Sequence, residues 1–578
     1  MRGKSVTMAQ TTSTGADTSL TTETVELICP FWHDSHSSFP AVAAVHGPPP
    51  SDYIFRMAKD ITTLADIVRT HGVARASDNS LIEGDRTRTW GELYERSIRV
   101  ANALQAAGVG VQDRVAFLDK NSIEHFEVFY GCALINAVSV DINWRLAPPE
   151  VEFIVNDAAA KVLVVHADFW PVVEAIRANL TTTQLIVVIG GTGGDTDYET
   201  WVNSGATTDP GVQSASEDVA FQLYSSGTTG RPKGVMLTNN NFFVMLPGAR
   251  TFWKLSDDMI NLVAMPLFHI GGGGWATAGQ FVGSSSIIVR EMDPNAVIQL
   301  IEKHKITHGF LVPAVLQFML MMPSVKEADF SSLQLMVYGA SPISLEVLTN
   351  SVEAFKCDFM QVYGLTETTG ATTLLPSEDH DPKGPNAHRL RSCGLPAPGV
   401  EIRIMDNDTG KELPAREVGE IWCKSPQVMK GYWNNPKATA ESITPDGWFK
   451  TGDAGYRDED GYIYIHDRVK DMIVSGGENV YPAEVESALM SHPAIADVAV
   501  IGVPHEKWGE TVKAIVVKKA DVAVTEAEII EFSKGLLARF KCPTSVDWID
   551  ALPRNPSGKI LKKDLRAPYW EGRERMVN

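Results

Sequence analysis

Short apolar, β-branched runs alternate with helix-like stretches along most of this 578-residue chain. Clear examples are residues 114–118, 160–165 and 185–189. Helical periodicity begins near Thr62, with apolar residues spaced by three and four positions. Buried runs of this length, separated by helices, are typical of βαβ units. The pattern therefore predicts an α/β fold with mostly parallel sheets flanked by helices.

The two ends of the chain differ from this pattern. Residues 1–59 are rich in Thr and Ser and contain three consecutive prolines, which predicts a partly flexible N-terminal extension. Residues 60–466 carry the alternating pattern and are expected to form the large N-terminal lobe. Residues 472–578 contain two strand-like runs followed by a helix-like stretch at 526–540, which predicts a small mobile α+β C-terminal lobe. The charged run 467–471 between the lobes is either a solvated turn or a hinge.

The composition excludes several classes of protein. The chain has 51 Lys and Arg against 71 Asp and Glu, a formal net charge of -20, which disfavours nucleic acid and allows at most peripheral membrane contact. The six cysteines show no metal or redox spacing, and no apolar run is long enough to span a membrane. Because no secretory signal is visible either, a cytoplasmic protein with mostly buried thiols is expected.

The charge is unevenly distributed. From Pro553 to the end, seven basic residues face three acidic ones, so this segment is basic while the chain as a whole is acidic. An anionic substrate is therefore compatible with the sequence, provided that it binds near the C-terminal segment.

The strongest local motif is Tyr-Ser-Ser-Gly-Thr-Thr-Gly-Arg-Pro-Lys-Gly at residues 224–234, directly after a strand-like run. Its glycines, hydroxyls and cations provide many donors, and loops of this kind cradle phosphates. The motif is not a Walker A loop, because Pro232 precedes Lys233 and Gly234 follows it. Lys233 is therefore expected in a mobile loop; a simple Gly/Ser turn is the alternative.

Three further segments carry candidate site residues. Glu367, among threonines, suits Mg²⁺, and the nearby Tyr363 could stack on a base, although a strand end with a capping Thr fits equally well. Asp453, in the sequence Thr-Gly-Asp, could bind the hydroxyls of a ribose, or form an Asx turn. Lys559, in a turn-rich segment, is either a catalytic cation or an exposed lysine.

The order and spacing of these four motifs resemble the adenylate-forming superfamily, which includes acyl-CoA synthetases, adenylation domains and beetle luciferases. The segment Ser-Gly-Gly-Glu-Asn-Val-Tyr-Pro-Ala-Glu-Val-Glu at residues 475–486 is most similar to bacterial fatty-acyl-CoA synthetases. The resemblance covers nearly the whole chain from about residue 60. It implies that ATP activates a carboxylic acid to an acyl-adenylate with loss of pyrophosphate, and that coenzyme A then takes the acyl group as a thioester.

The resemblance also implies a role for individual residues. The residues at ATP would be Ser225, Ser226, Gly227, Thr228, Thr229, Gly230 and Lys233 for the phosphates, Gly339, Ala340, Ser341 and Tyr363 for adenine, and Asp453 and Arg468 for the ribose. Thr366 would contact the α-phosphate, Glu367 would bind Mg²⁺, and Lys559 would bridge the carboxylate and the α-phosphate. A cation is needed there because one anion attacks another.

The second step requires a different arrangement of the lobes. In the family the C-terminal lobe rotates between the two half-reactions, and Lys470 lies at the hinge position. Val474 occupies the position where some relatives have a lysine for thioester formation. The backbone of Ser475, Gly476 and Gly477 is therefore expected to meet coenzyme A instead.

Residues 266–275 match the acyl-pocket region of the family. Relatives that activate amino acids have an Asp there; this chain has none, and an unpaired buried ammonium would be costly. An apolar acid is expected, either of medium to long chain or with a bulky ring. His269 would lie at the mouth as a gate or orienting residue, or else is a packed histidine. Gly271 and Gly272, in a run of four glycines, would leave open space or give flexibility for an acyl tunnel, and Trp275 could gate it.

Several alternatives stay open. A ligase that loads an acyl carrier protein or a luciferase-like oxygenase would share these motifs. A catalytically dead scaffold would be expected to lack Glu367 or Lys559, and a generic ATPase to have a Walker motif.

The form Pro-x-x-x-x-Gly-Lys at residues 553–559 resembles a substrate of protein acetyltransferases, so acetylation of Lys559 would remove a needed charge. The oligomeric state is open, a homodimer included.

Overall fold

The computed structural model describes residues 61–225, 232–341, 343–406, 409–468, 471–475, 478–506, 508–520, 522–554 and 560–571. All of them belong to one compact unit, Phe55–Asn578. The helices are α1 Leu64–Ala74, α2 Trp90–Ala106, α3 Ile123–Leu134, α4 Pro148–Asp157, α5 Trp170–Ile176, α6 Tyr198–Ser204, α7 Asn239–Phe243, α8 Ala249–Phe252, α9 Ile270–Val282, α10 Pro294–His304, α11 Pro313–Met321, α12 Leu345–Phe355, α13 Pro436–Ser442, α14 Pro482–Met490, α15 Glu526–Lys534 and α16 Lys562–Trp570. None of these helices is long and apolar enough to cross a membrane.

The strands form four sheets. Their bounds are β1 Asn79–Glu83, β2 Arg86–Thr89, β3 Arg114–Leu118, β4 Val138–Asp141, β5 Val162–His166, β6 Leu185–Ile189, β7 Thr196–Asp197, β8 Val219–Ser225, β9 Lys233–Thr238, β10 Ile260–Val263, β11 Ser285–Ile288, β12 His308–Leu311, β13 Leu335–Gly339, β14 Asp358–Leu365, β15 Gly370–Leu375, β16 Leu395–Pro396, β17 Glu401–Met405, β18 Gly419–Lys424, β19 Gly431–Tyr432, β20 Phe449–Arg457, β21 Ile463–Arg468, β22 Ile473–Ser475, β23 Glu478–Val480, β24 Ile495–His505, β25 Gly509–Lys518 and β26 Ser545–Trp548.

The two large sheets are mostly parallel, as the sequence predicts. The nine-stranded sheet has the order β16-β15-β14-β13-β12-β10-β11-β1-β2, and all pairs from β14 to β1 are parallel. The eight-stranded sheet has the order β19-β9-β8-β4-β3-β5-β6-β7, parallel from β8 to β7. Strand β3 is buried at every position, which explains the apolar run that follows Arg114.

The largest hydrophobic core includes residues of both large sheets and of several connecting helices, and a second core covers the face of the eight-stranded sheet that packs against α4 and α5. Helix α3 is buried along its full length, so it has no polar face in its sequence. The five cysteines in the described part of the chain are free thiols, and four of them are buried. These observations agree with the expectation of a large α/β region with buried thiols.

The remaining two sheets lie toward the C-terminus. Strands β17, β18, β20 and β21 form an antiparallel sheet, and β22 to β26 form the five-stranded sheet, with its own core. The helix predicted at residues 526–540 ends at Lys534, because Gly535 follows and favours termination. The α/β fold class with a smaller α+β region is therefore confirmed, with a shorter helix than predicted.

The predicted hinge is only partly described. Strand β21 continues to Arg468, so Asp467 and Arg468 lie on a strand that pairs with β20. Val469 and Lys470 fall outside the described residues, and Asp471 accepts a hydrogen bond from Arg566 at 2.6 Å. The hinge at residues 467–471 and the lobe boundaries stay predictions.

Candidate active site

The turn after β14 presents Glu367. The strand ends at Leu365, residues Thr366–Thr368 form a single 3-10 turn, and Thr369 has a φ of 54° before β15 returns antiparallel. The Thr368 hydroxyl accepts a hydrogen bond from the Leu365 backbone N–H at 2.9 Å. The capping threonine and the presented carboxylate, which the sequence leaves as alternatives, are therefore both present.

The Glu367 carboxylate joins several segments in a buried position. Its Oε1 atom accepts a hydrogen bond from the Ser225 hydroxyl at 2.9 Å and another from the Tyr432 hydroxyl at 3.0 Å. Its backbone carbonyl accepts one from the Met429 N–H at 2.8 Å. Within the described ranges no hydrogen bond reaches Oε2. One carboxylate oxygen is thus held by hydroxyls while the other remains for a ligand.

Lys233 lies beside this carboxylate. It is the first residue of β9, opposite Ser225 of β8, so the predicted position in a mobile loop is wrong. The antiparallel register of the two strands extends to this pair and fixes the lysine backbone. Its Nζ lies 4.7 Å from the centre of the Tyr432 ring, a cation–π contact. The intervening motif residues Ser226, Gly227, Thr228, Thr229 and Gly230 lie outside the described residues.

The predicted adenine site lies at the ends of β13 and β14. Gly339 pairs with Val362, so Ala340 and Tyr363 follow at the same edge of the sheet. A side chain at Gly339 would place a Cβ 2.3 Å from the Val362 carbonyl oxygen, which explains the glycine. Ala340 is exposed with a φ of 66°, and Ser341 follows it half-buried. The residues predicted for adenine therefore lie together at one edge of the sheet.

Asp453 lies on strand β20, so the alternative of an Asx turn is wrong. Its carboxylate is buried and accepts a hydrogen bond from the Tyr363 hydroxyl at 2.7 Å. Its backbone pairs with Arg468 on β21, which brings the two predicted ribose residues onto neighbouring strands. The residues predicted for adenine and ribose therefore form one connected cluster.

His269 precedes helix α9, as its N-cap residue. Its Nε2 atom is buried and has no hydrogen-bond partner in the described structure. Burial lowers the pKa of this imidazole to about 4, and the positive charge of Arg145 contributes in the same direction. The ring is therefore neutral near pH 7 and has one nitrogen available for a ligand.

The glycines after His269 do not all leave open space. A Cβ at Gly272 would lie 2.2 Å from the Pro266 carbonyl oxygen, so this glycine allows close packing of the helix start on the preceding loop. A Cβ at Gly271 would meet the Phe310 ring at 3.0 Å. Trp275 is buried and donates its indole N–H to the Leu262 carbonyl at 3.2 Å. The expectation of open space is wrong at Gly272, and the membership of these residues in an acyl pocket stays a prediction.

Several predicted residues fall wholly or partly outside the described residues or pair elsewhere. Lys559, Gly476 and Gly477 lie outside the described residues, and the Arg468 side chain is not described. Ser475, the last residue of β22, pairs with Gly509 of β25. The predicted contacts of this group with coenzyme A and with the reacting phosphate stay predictions.

A separate cleft of about 490 Å³ lies at the ends of β5 and β6. Its lining includes His166, Arg86 and Arg290 and contains none of the residues predicted from the sequence. The cleft is therefore not part of the Glu367 cluster.

Tyr432 is a site residue that sequence reasoning missed. It contacts Glu367 through its hydroxyl and Lys233 through its ring. The only local signal is an aromatic residue after Gly431 in a turn-rich stretch, which by itself indicates nothing about a site. Arg145, whose positive charge lowers the pKa of His269, was also missed, because nothing in its neighbouring sequence indicates a site.

Comparison with known proteins agrees with this arrangement. The family model described as AMP-binding enzyme matches residues 68–433, and the model of the AMP-binding enzyme C-terminal domain matches residues 484–559. The first of these covers more than half of the chain and contains the Ser225, Glu367 and Tyr432 contacts.

Three relatives illustrate the range within the family. The fatty acid–[acyl-carrier-protein] ligase ScoC of Streptomyces coeruleorubidus is 40% identical over 90% of this chain and 98% of its own length. The long-chain-fatty-acid–CoA ligase FadD13 of Mycobacterium tuberculosis is 38% identical over 84% of this chain and 94% of its own. The crystal structure of the anthranilate CoA ligase AuaEII with anthranoyl-AMP has a TM-score of 0.81 and 30% identity, covering 88% of this chain and 97% of that one. The chain therefore belongs to the AMP-binding enzyme family and is an acid–thiol ligase of the AMP-forming type.

Proposed function

We propose that this enzyme activates an apolar carboxylic acid, of medium to long chain or with a bulky ring, and transfers the acyl group to coenzyme A. The observation that carries the choice of acid is the loop before α9. Its residues Met265, Leu267 and Phe268 are buried, and its sequence from 264 to 275 contains no carboxylate. A substrate ammonium buried against this loop would lack a partner and cost several kcal/mol, so an amino acid is a poor substrate.

The first half-reaction joins the acid to AMP. A carboxylate oxygen of the acid attacks the α-phosphorus of ATP, the bond to the bridging oxygen breaks, and pyrophosphate leaves with the electron pair. Thr366 would donate a hydrogen bond to the α-phosphate, and Lys233 and Lys559 would offset negative charge. In the second half-reaction a thiolate attacks the acyl carbonyl, and AMP leaves. Positioning and charge neutralisation supply most of the catalysis in such a scheme.

Glu367 would hold Mg²⁺. Its Oε2 atom, which no hydrogen bond reaches in the described part of the chain, offers the hard oxygen ligand that Mg²⁺ prefers, while the Ser225 and Tyr432 hydroxyls hold Oε1. A single carboxylate suffices, because Mg²⁺ commonly takes its other ligands from water and substrate phosphates. When bound, the ion neutralises phosphate charge; the protein's own part is to orient the Glu367 carboxylate through the two hydroxyl donors.

A pyrophosphate-exchange assay over a panel of acids tests this proposal. The panel contains octanoate, dodecanoate, palmitate, phenylacetate and anthranilate, with phenylalanine as the charged control. We expect exchange with at least one apolar acid and none with phenylalanine. Exchange with phenylalanine alone, or with no acid at all, would contradict the proposed substrate class.

A carrier protein is the second candidate acceptor, and the similarity to ScoC supports it. The acceptors are distinguished by giving the enzyme its best acid and ATP with either coenzyme A or a phosphopantetheinylated carrier protein. Thioester formation with coenzyme A at low micromolar concentration supports the first acceptor. Thioester formation on the carrier alone would reassign the enzyme to carrier loading.

His269 provides a prediction about pH. We expect His269→Gln to lower kcat/KM for the acid about tenfold or more, since the flexible glutamine amide does not keep the ring nitrogen in its buried position. The shape of the pH profile from about pH 6 to 8 should not change, because an imidazole with a pKa of about 4 is neutral throughout this range. The control is His304→Gln on α10, which should leave activity unchanged. If the kcat/KM profile of the unchanged enzyme shows a transition near pH 6.5 that His269→Gln abolishes, His269 titrates during catalysis.

Asp453 provides a prediction about ATP. We expect Asp453→Asn to raise KM for ATP about 10- to 100-fold, since hydrogen bonds to a charged group contribute about 1.5–3 kcal/mol. The variant should also lose part of the preference for ATP over 2′-deoxy-ATP. Tyr363→Phe removes the 2.7 Å hydrogen bond to Asp453 but keeps the ring, and should have a much smaller effect. Equal effects in the two variants would mean that Asp453 only orients Tyr363.

The remaining features are also proposals; the cytoplasmic location follows from the composition, the homodimer is one of the open oligomeric states, and the others come from the resemblance. They are lobe rotation about residues 467–471, coenzyme A contact at residues 475–477, cytoplasmic location, a homodimer, and acetylation of Lys559. The sequence similarity of the C-terminal segment to the AMP-binding enzyme C-terminal domain supports the first of these.

A further inference from the structure

The connection between β3 and α3 contacts the loop that carries His269. Asn121, in this connection, is buried, and its side chain makes three hydrogen bonds to backbone. Its Nδ2 donates to the Met265 carbonyl at 3.0 Å and the Val289 carbonyl at 3.1 Å, and its Oδ1 accepts from the Leu267 N–H at 3.0 Å. One side chain thus satisfies backbone groups of two segments, which follow β10 and β11.

These bonds flank a turn that ends at His269. Met265 and Leu267 lie on either side of Pro266, whose carbonyl accepts a hydrogen bond from the His269 N–H at 3.1 Å. The His269 carbonyl in turn accepts from Gly273 at 2.8 Å, in the first turn of α9. A shift at Leu267 is therefore transmitted directly to His269 and to the start of the helix.

A second contact strengthens the same connection. The Asp119 carboxylate, also buried, accepts hydrogen bonds from Arg290 at 2.7 and 2.9 Å. Asp119 and Asn121 follow a strand of the eight-stranded sheet, whereas Met265 and Arg290 follow strands of the nine-stranded sheet. The connection therefore holds the carboxyl ends of the two sheets together beside the candidate acid site.

The space behind the loop is small and polar. A gap of about 10 Å³ lies between Phe268 and the buried pair of His125 and Asp141, which is room for about one water molecule. His125 Nε2 lies 2.5 Å from the Asp141 carboxylate, and its Nδ1 is buried without a hydrogen-bond partner in the described structure. The loop therefore borders only a small gap on this side, and the hydrogen bonds of Asn121 are the direct polar contacts that hold its backbone.

We propose that Asn121 is a positioning residue for acid binding, which fixes the turn from Met265 to His269 through the backbone. This inference rests on the proposed function, in which the same turn forms part of the acid site. Asn121 acts through other residues and contacts no substrate atom. Its loss should therefore affect the acid more than ATP, whose candidate site is formed by Glu367, Tyr363 and Asp453.

The test compares Asn121→Ser with Asn102→Ser. Asn102 is a matched control, because its Nδ2 also donates to three backbone carbonyls, those of Ile98, Ala206 and Thr208, and no predicted site residue lies among them. We expect Asn121→Ser to raise KM for the acid about tenfold or more while KM for ATP changes less than about twofold. Asn102→Ser should leave both KM values unchanged at a similar melting temperature.

Hydrogen exchange measured by mass spectrometry provides a readout that needs no substrate. Peptides covering residues 264–270 should exchange faster in Asn121→Ser than in the unchanged protein or in Asn102→Ser. Unchanged exchange there would overturn the inference, as would equal increases in KM for acid and ATP. If no acid in the panel is activated by the unchanged enzyme, the proposed substrate class fails, and the exchange result still decides whether Asn121 positions the turn.

Discussion

Replacement of Glu367 by glutamine is expected to lower kcat/KM for adenylation by about 10²–10³-fold, which corresponds to about 3–4 kcal/mol of transition-state stabilisation. The glutamine amide oxygen can still accept the hydrogen bonds that Ser225 and Tyr432 donate to Oε1. The buried neighbours therefore stay satisfied, and the fold is retained. The negative charge that would hold Mg²⁺ is lost. Pyrophosphate exchange measured across Mg²⁺ concentrations should show a higher requirement for the ion.

Two further variants separate charge from structure. Tyr432→Phe removes one hydrogen bond to Glu367 but keeps the carboxylate and the ring near Lys233, so we expect less than about a tenfold loss. Glu378→Gln changes an exposed carboxylate on the same part of the chain and should have no effect. If Tyr432→Phe and Glu367→Gln lose activity equally, with equal falls in melting temperature, Glu367 supports the local structure and does not bind the metal.

Parts of the fold that depend on local sequence are predictable. Strands β3 and β6 have the bounds of the predicted runs, because a strand buried on both faces is apolar at nearly every position. The helix predicted to extend to Phe540 ends at Lys534. The apolar spacing typical of a helix continues in the sequence past Gly535, but the helical backbone ends before it. Lys233 begins strand β9 because the pairing of β8 with β9 extends to Ser225. The sequence of residues 224–234 alone does not show this pairing between strands.

The site residues also divide into those that local sequence reveals and those that depend on contacts between distant segments. Glu367 and Asp453 are recognisable because each lies in a motif whose neighbours carry the same chemistry. Tyr432 and Asn121 are not, because their contacts join residues 65 and 144 positions apart. A tyrosine or an asparagine has no distinguishing neighbours in the sequence, and only the packing of the two sheets brings it to the site.

Replacement of Lys559 by alanine is expected to lower the rate of adenylation by about 10³-fold or more, because negative charge accumulates where the carboxylate meets the α-phosphate. Lys559 lies outside the described residues, but the backbone on either side of it is described. Arg554 and Ile560 form an antiparallel bridge, and the Leu561 N–H donates to the Pro553 carbonyl at 2.8 Å. The ends of the segment are thus held together by backbone bonds that the substitution does not touch, so the protein should stay folded.

The second half-reaction distinguishes a local charge effect from a general defect. Given synthetic acyl-adenylate and coenzyme A, the Lys559→Ala variant should form thioester at a rate within about threefold of the unchanged enzyme, because no phosphorus is attacked in this step. Lys563→Ala, which removes an exposed lysine on α16, controls for the loss of one positive charge from the basic C-terminal segment. Equal loss of both half-reactions in Lys559→Ala would contradict the hypothesis that the C-terminal lobe takes different positions in the two steps. Loss of adenylation alone would mean that this lysine is needed only while pyrophosphate leaves, as expected if the C-terminal lobe turns away before the thiol attacks.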